Sequence, residues 1–141
     1  MRRYVALTAL ACLLASPLLA GQTTPPPAQK SKYVPPVQGL ATLEVIQSPP
    51  KRVGKDMVSV AKIRNTSKGS INLLIVDEYW YDANLKIVAA NVYRHRKAPI
   101  QPGEIIEVTI KTPWNAQMQR NHLLFRHANG KAEAKTVKAF K

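Results

Sequence analysis

Glu104-Ile105-Ile106-Glu107-Val108-Thr109-Ile110-Lys111 is the stretch on which the fold turns. Ile106, Val108 and Ile110 alternate with Glu107, Thr109 and Lys111, the period of two that a half-buried strand requires. A helix would turn Val108 to the face opposite Ile106 and Ile110, because its side chains repeat every ~3.6 residues. Gln101-Pro102-Gly103 just ahead of the strand is a turn signal, and Thr112-Pro113 closes it.

The same period recurs outward from this strand. Ala41, Leu43 and Val45 alternate with Thr42 and Glu44, and Met57 to Arg64 is β-rich with a weaker alternation. Ile71 to Val76 is apolar on both faces, which predicts a central strand covered on each side. His122 to Ala128 and Ala132 to Phe140 complete the set, separated by Asn129-Gly130, a strong hairpin signal. Ser48-Pro49-Pro50, Asn65 to Gly69 and Asp82-Ala83-Asn84 mark further turns. Only Asn115 to Gln119 offers even one helical turn. The pattern predicts an all-β chain: an antiparallel immunoglobulin-like β-sandwich of about seven strands over residues 38–141.

Ahead of that domain the composition changes. Arg2 and Arg3 precede an apolar run from Val5 to Ala15, and Ser16 to Ala20 supplies a helix breaker and a small residue for cleavage. Residues 1–20 therefore read as a secretory signal peptide, since the apolar run is shorter than the ~18 residues of a membrane span. After cleavage no transmembrane span is expected. Twin-arginine export and lipidation at Cys12 are weaker readings of the same residues: a fuller motif is missing, and the apolar run continues past Cys12 through Ala15. Residues 21–37 hold Pro25-Pro26-Pro27 and Pro35-Pro36 and read as a Pro-rich disordered linker. The expected address is the periplasm or the medium.

The signal carries the only cysteine, Cys12, so the exported chain has no disulfide, thiol nucleophile or cysteine-ligated metal. Glycine-rich phosphate loops, Gly-x-Ser-x-Gly and His-Glu-x-x-His are missing as well. His122 and His127 are five residues apart, which sets them on opposite faces of a strand, and His95 sits among Arg94, Arg96 and Lys97. Asp77-Glu78 is the only adjacent acidic pair, and consecutive strand residues face opposite ways. No catalytic, metal or cofactor site is expected.

The run from Asn65-Thr66-Ser67 through Ile71 to Val76, Tyr79-Trp80-Tyr81-Asp82 and Ile87-Val88 to Ile100-Gln101-Pro102-Gly103-Glu104 resembles the FxLYD family. These are immunoglobulin-like domains of exported bacterial and archaeal proteins. The likeness covers about forty residues. The family's Phe and Leu fall on Glu78 and Trp80, and the glycine that follows its Tyr-Asp is replaced by Asn84-Leu85. The resemblance implies a sandwich in the cell envelope and no defined activity. On physical grounds alone, one or two of Tyr79, Trp80 and Tyr81 should anchor the core. Asp82 should accept turn amides, with Asn84 in the left-handed region. Pro102 and Gly103 are turn residues.

Charge is the feature left over. The chain carries +13, and removing Arg2 and Arg3 still leaves +11. Arg94, Arg96, Lys97, Lys135 and Lys138 form the candidate anion-binding set, since such a surface concentrates anionic partners. Aromatics interleave with these bases only at Tyr93, which argues against nucleic acid as the partner. Trp114 is the candidate partner contact, either a lid on the core or an exposed anchor. Two functions follow: an accessory module docking on another envelope component, a protein or an anionic polymer, or a basic polyanion binder for lipopolysaccharide, an acidic polymer or, least favoured, nucleic acid.

Overall fold

The computed structural model describes residues Lys32–Lys141; the signal and most of the linker expected above lie outside the described residues. Eight strands follow one another: β1 (Ala41–Gln47), β2 (Lys51–Val53), β3 (Asp56–Asn65), β4 (Ile75–Tyr81), β5 (Ile87–Arg94), β6 (Ile105–Pro113), β7 (Arg120–His127) and β8 (Gly130–Thr136). No helix occurs among the described residues. The chain is all-β. Asn115 to Gln119 forms only a turn, with the Asn115 side chain accepting the Gln117 amide at 2.9 Å.

The strands join in one curled sheet, ordered β2-β3-β1-β8-β7-β4-β5, with β6 on the other edge of β3. β1 and β2 lie end to end along β3, opposite residues 61–65 and 56–58 respectively, with Ser48-Pro49-Pro50 breaking the line between them. Prolines cannot donate to a ladder, so the break is where sequence places it. One correction to the expected pairing concerns β1 and β8, which run parallel. Parallel neighbours need a long connection, and the first and last long strands have almost the whole domain between them. Curling brings the end strands β5 and β6 together without a ladder. Asn91 Nδ2 donates to the Lys111 carbonyl at 2.7 Å, and Asn115 Nδ2 to that of Val88 at 3.2 Å.

The concave face holds the core. Ala41, Leu43 and Val45 from β1 meet Ala61 and Ile63 from β3, Val76 from β4, Val108 and Ile110 from β6, and Leu123 from β7. The β6 alternation therefore points where its sequence says, with Thr112 continuing the inward phase at 0 % exposure. Of the aromatic triplet, Trp80 goes inside at 3 % exposure while Tyr79 and Tyr81 stay half-buried on the convex face. The indole Nε1 of Trp80 is buried without a partner.

Ile71 to Val76 differs from its expectation. The strand begins only at Ile75, and Leu73 adopts a left-handed φ of 47°. Ile71 and Leu74 drop into the core while Leu73 turns out. An apolar run without alternation is here a bend that buries its ends, not a doubly covered strand. The segment is held by Ile71, whose amide and carbonyl both bond Ile100.

Asn65 organises this end of the molecule. Its side chain is fully buried, with Nδ2 donating to the carbonyls of Gly69 and Ile100, both at 2.9 Å, and Oδ1 accepting the Ser67 amide. Its backbone carbonyl accepts from Gly103, which sits at φ 80° in the Gln101-Pro102-Gly103-Glu104 turn. That turn is closed by the Glu104 amide on the Gln101 carbonyl. Every polar atom of the Asn65 amide is thereby engaged inside the fold. The last linker residues lie along Ser70, whose amide and hydroxyl bond the carbonyls of Pro35 and Val34.

Candidate functional site: a forked sheet over a buried polar cluster

β7 and β8 make a hairpin around Ala128 and Asn129, one residue earlier than the Asn-Gly pair suggests. Gly130 is already in β8, and a Cβ there would stand 2.1 Å from the Gly39 carbonyl. The hairpin is also fixed by His127, whose ring Nε2 lies 2.9 Å from that same carbonyl.

From this hairpin the two strands separate. Their pairing stops at Phe125 and Ala132, although β7 extends back to Arg120 and β8 on to Thr136. Continuing the register would set Leu123 opposite Ala134 and Asn121 opposite Thr136. Instead β7 stays with β4 and β8 follows β1. The result is a fork in the sheet, opening on a groove of about 600 Å³. Val45 and Leu123 line it from the core side, Ala134 from β8, and Leu124 and Lys131 from the convex side. The concave positions of β8 are Ala132, Ala134 and Thr136. Small side chains there leave the space that bulkier residues would fill.

Below the groove lies a cluster of polar side chains on inward positions of four strands. The Glu78 carboxylate of β4 is fully buried. It accepts from the Ser59 hydroxyl of β3, from Thr112 Oγ1 of β6 at 2.6 Å and from Asn121 Nδ2 of β7 at 3.2 Å. Asn121 also lines the groove, where its Oδ1 meets Gln47 Nε2 at 3.4 Å. A buried carboxyl group without a cation demands such saturation with hydrogen-bond partners. Each carboxyl oxygen is thereby engaged.

On the convex face Arg126 grips Asp77 with two bonds, 2.6 and 3.2 Å. That hydrogen bond, opposed by desolvation and helped by the Asp77 charge, holds the guanidinium above its ordinary value. Arg94, Ile75, Arg126 and Lys131 stand in one row across β5, β4, β7 and β8.

The structure divides the candidate anion set. Arg94 ends β5 and Arg96 and Lys97 follow it, all three exposed. Lys135 lies in β8, three strands from β5 and beyond the point where β7 and β8 part, and Lys138 follows β8. Lys135 and Lys138 border a shallow depression with Glu44, which is paired with Arg64. They form two groups, not one. Trp114 is 38 % exposed, with the Arg52 guanidinium 3.6 Å from its ring centroid and its amide bonded to the Lys55 carbonyl. It covers the β2–β3 turn. Asp82 accepts the amides of Asn84 and Lys86 at 2.8 and 2.9 Å, and the left-handed residue is Leu85, φ 62°, not Asn84. Asp82 Oδ1 satisfies both amides and so carries the turn past Asn84.

Sequence reasoning missed the Glu78 cluster and the fork. The phase of Ile75 to Tyr81 carries the first, since Val76, Glu78 and Trp80 share a face. The low bulk of Ala132-Glu133-Ala134 carries a trace of the second.

No protein-family model matches the chain, and no curated protein matches it significantly. Among solved structures the chain is similar to IrmA from Escherichia coli. The TM-score is 0.50 at 4 % identity, and the alignment covers 72 % of this chain and 95 % of that one. At that identity the likeness is one of fold alone. Among the described residues no three His, Cys, Asp or Glu side chains gather as a metal site, and no helix is long and apolar enough to cross a membrane.

Proposed function

We infer that this chain is a non-enzymatic binding module of the bacterial cell envelope, exported by residues 1–20 and docking on another envelope component. The observation that carries the reading is the fork between β7 and β8. A sheet that could close its ladder over Leu123 and Ala134 instead keeps an open groove, and concave apolar sites with a few polar groups are where ligands bind. We read the curled sheet as an immunoglobulin-like sandwich, with β2, β1, β3 and β6 facing β8, β7, β4 and β5. Supporting that reading, β1 bonds both halves, antiparallel to β3 and parallel to β8. The FxLYD resemblance points the same way.

The test is affinity capture of the full-length protein from envelope extracts at low and high salt, beside Leu124→Lys. Leu124 is half exposed at the groove, so the change leaves the core intact. The reading expects a partner retained at high salt and lost with the variant. Capture unaffected by Leu124→Lys would sink it.

A second reading, attraction to an anionic envelope polymer, is favoured by the cationic row of Arg94, Arg126 and Lys131. Its mark is affinity that falls steeply with salt, since each contact with a polyanion releases counterions.

A further inference from the structure

We propose that the fork accepts one extended acidic peptide strand, inserted between β7 and β8. The inference rests on the docking reading above and names its partner's chemistry.

The backbone makes the first half of the case. The Val137 amide bonds the Val45 carbonyl, so alternate residues of β8 present their backbone groups to β1. The intervening ones, Ala132, Ala134 and Thr136, present theirs to the β7 side. Ala132 meets Phe125 there, whereas Ala134 and Thr136 meet no strand. The matching positions on β7 are Leu123 and Asn121. Backbone donors and acceptors thus line both sides of the groove, and an extended polypeptide is the ligand that satisfies both rows at once. Because β7 and β8 are antiparallel, an inserted strand runs antiparallel to one flank and parallel to the other.

Side chains make the second half. Inward residues of the guest would point at Val45 and Leu123, which favours small or β-branched apolar groups there. Outward residues would stand between Arg120 and His122 on one side and Lys135 on the other, with Lys131 at the closed end of the fork where β7 and β8 still pair, all exposed. Glu133 is the one acid on the flanking outward positions of these strands; Asp77 is spent on Arg126. Cations opposite guest positions across a sheet favour acidic residues on that face. The guest is an alternating acidic and apolar strand.

The probe is a capped heptapeptide alternating Glu and Val, added to ¹⁵N-labelled full-length protein at low salt. In the free protein, Leu123 and Ala134 amides should exchange with solvent far faster than those of Phe125 and Ala132. Peptide should raise protection at Asn121, Leu123, Ala134 and Thr136 by about tenfold or more. A Lys–Val heptapeptide should bind about tenfold more weakly, and a Glu–Val peptide N-methylated at alternate amides should give no protection. Lys131→Glu with Lys135→Glu should reverse the charge preference while the fold's amide spectrum persists. The proposal is overturned by any of three results: no protection at millimolar peptide, equal action of the N-methylated peptide, or a fork already protected in the free protein. Protection that grows with protein concentration alone would put a second copy in the fork and overturn it too. Should these fail while Leu124→Lys still abolishes capture, the docking reading stands and only strand insertion falls.

Discussion

Thr112 Oγ1 donates a 2.6 Å hydrogen bond to Glu78 Oε2 across the core, joining β6 to β4, strands that share no ladder. The other carboxylate oxygen is served by Ser59 and Asn121 together. The two oxygens therefore differ in redundancy. Thr112→Val should cost about 2 kcal/mol, the scale of leaving a buried polar group without its partner. Ser59→Ala should cost less, because Asn121 remains on the same oxygen. Chemical denaturation of both variants decides it, and equal losses would contradict the geometry.

Asn65 offers a sharper case, since one amide serves the carbonyls of Gly69 and Ile100 and the Ser67 amide. Asn65→Asp is nearly isosteric, yet it replaces a double donor with a charge facing two carbonyls. It should destabilise the fold by more than Asn65→Ala, which should itself cost about 3 kcal/mol through stranded buried groups. The order of the two melting temperatures is the readout. An aspartate variant more stable than the alanine would mean the carbonyls are not held by Nδ2.

Much of this fold was legible, and the parts that were not share a cause. β6 and β1 announce themselves because one face meets the core and the other meets water, so burial writes a period of two into Ile106, Val108 and Ile110. Ile71 to Leu74 misleads because a bend can bury both of its ends. Glu78 was hidden by its type: a carboxylate reads as surface until the partners on three other strands are known. The parallel seam of β1 and β8 and the fork beside it depend on contacts between residues just over ninety apart, where no local pattern reaches. The basic residues were visible, but their division into two groups follows from sheet order.

Gly130 and Gly103 both sit at positive φ, 155° and 80°, but only Gly130 adds a steric demand. A Cβ at Gly103 meets nothing within 4 Å, so Gly103→Ala should cost only the left-handed backbone, about 1 kcal/mol. At Gly130 the added carbon would meet backbone, the Gly39 carbonyl at 2.1 Å, with no side chain to swing aside. Gly130→Ala should therefore cost clearly more. It should also broaden or shift the amide signals of Gly39 and Asn129, because the Gly39 amide bonds the Asn129 carbonyl. Similar losses for both variants would show that the hairpin can back away from residue 39.

Trp114 and Arg52 decide between two roles for the exposed indole. Arg52 stacks 3.6 Å from the ring centroid while its Nε bonds the Gly54 carbonyl at 3.2 Å. Both residues thus brace the β2–β3 turn from outside the core. A lid on the core would lose several kcal/mol on truncation, as buried aromatics do. The geometry here assigns a smaller figure, about 1 kcal/mol for Trp114→Ala, the scale of an exposed cation–π pair with its packing. Arg52→Ala should cost a similar amount, and the double variant should cost less than the two losses combined, since one stack cannot be lost twice. Full additivity in the double-variant denaturation cycle would mean that the ring and the guanidinium act independently. In that case Trp114 would owe its position to the Lys55 carbonyl alone.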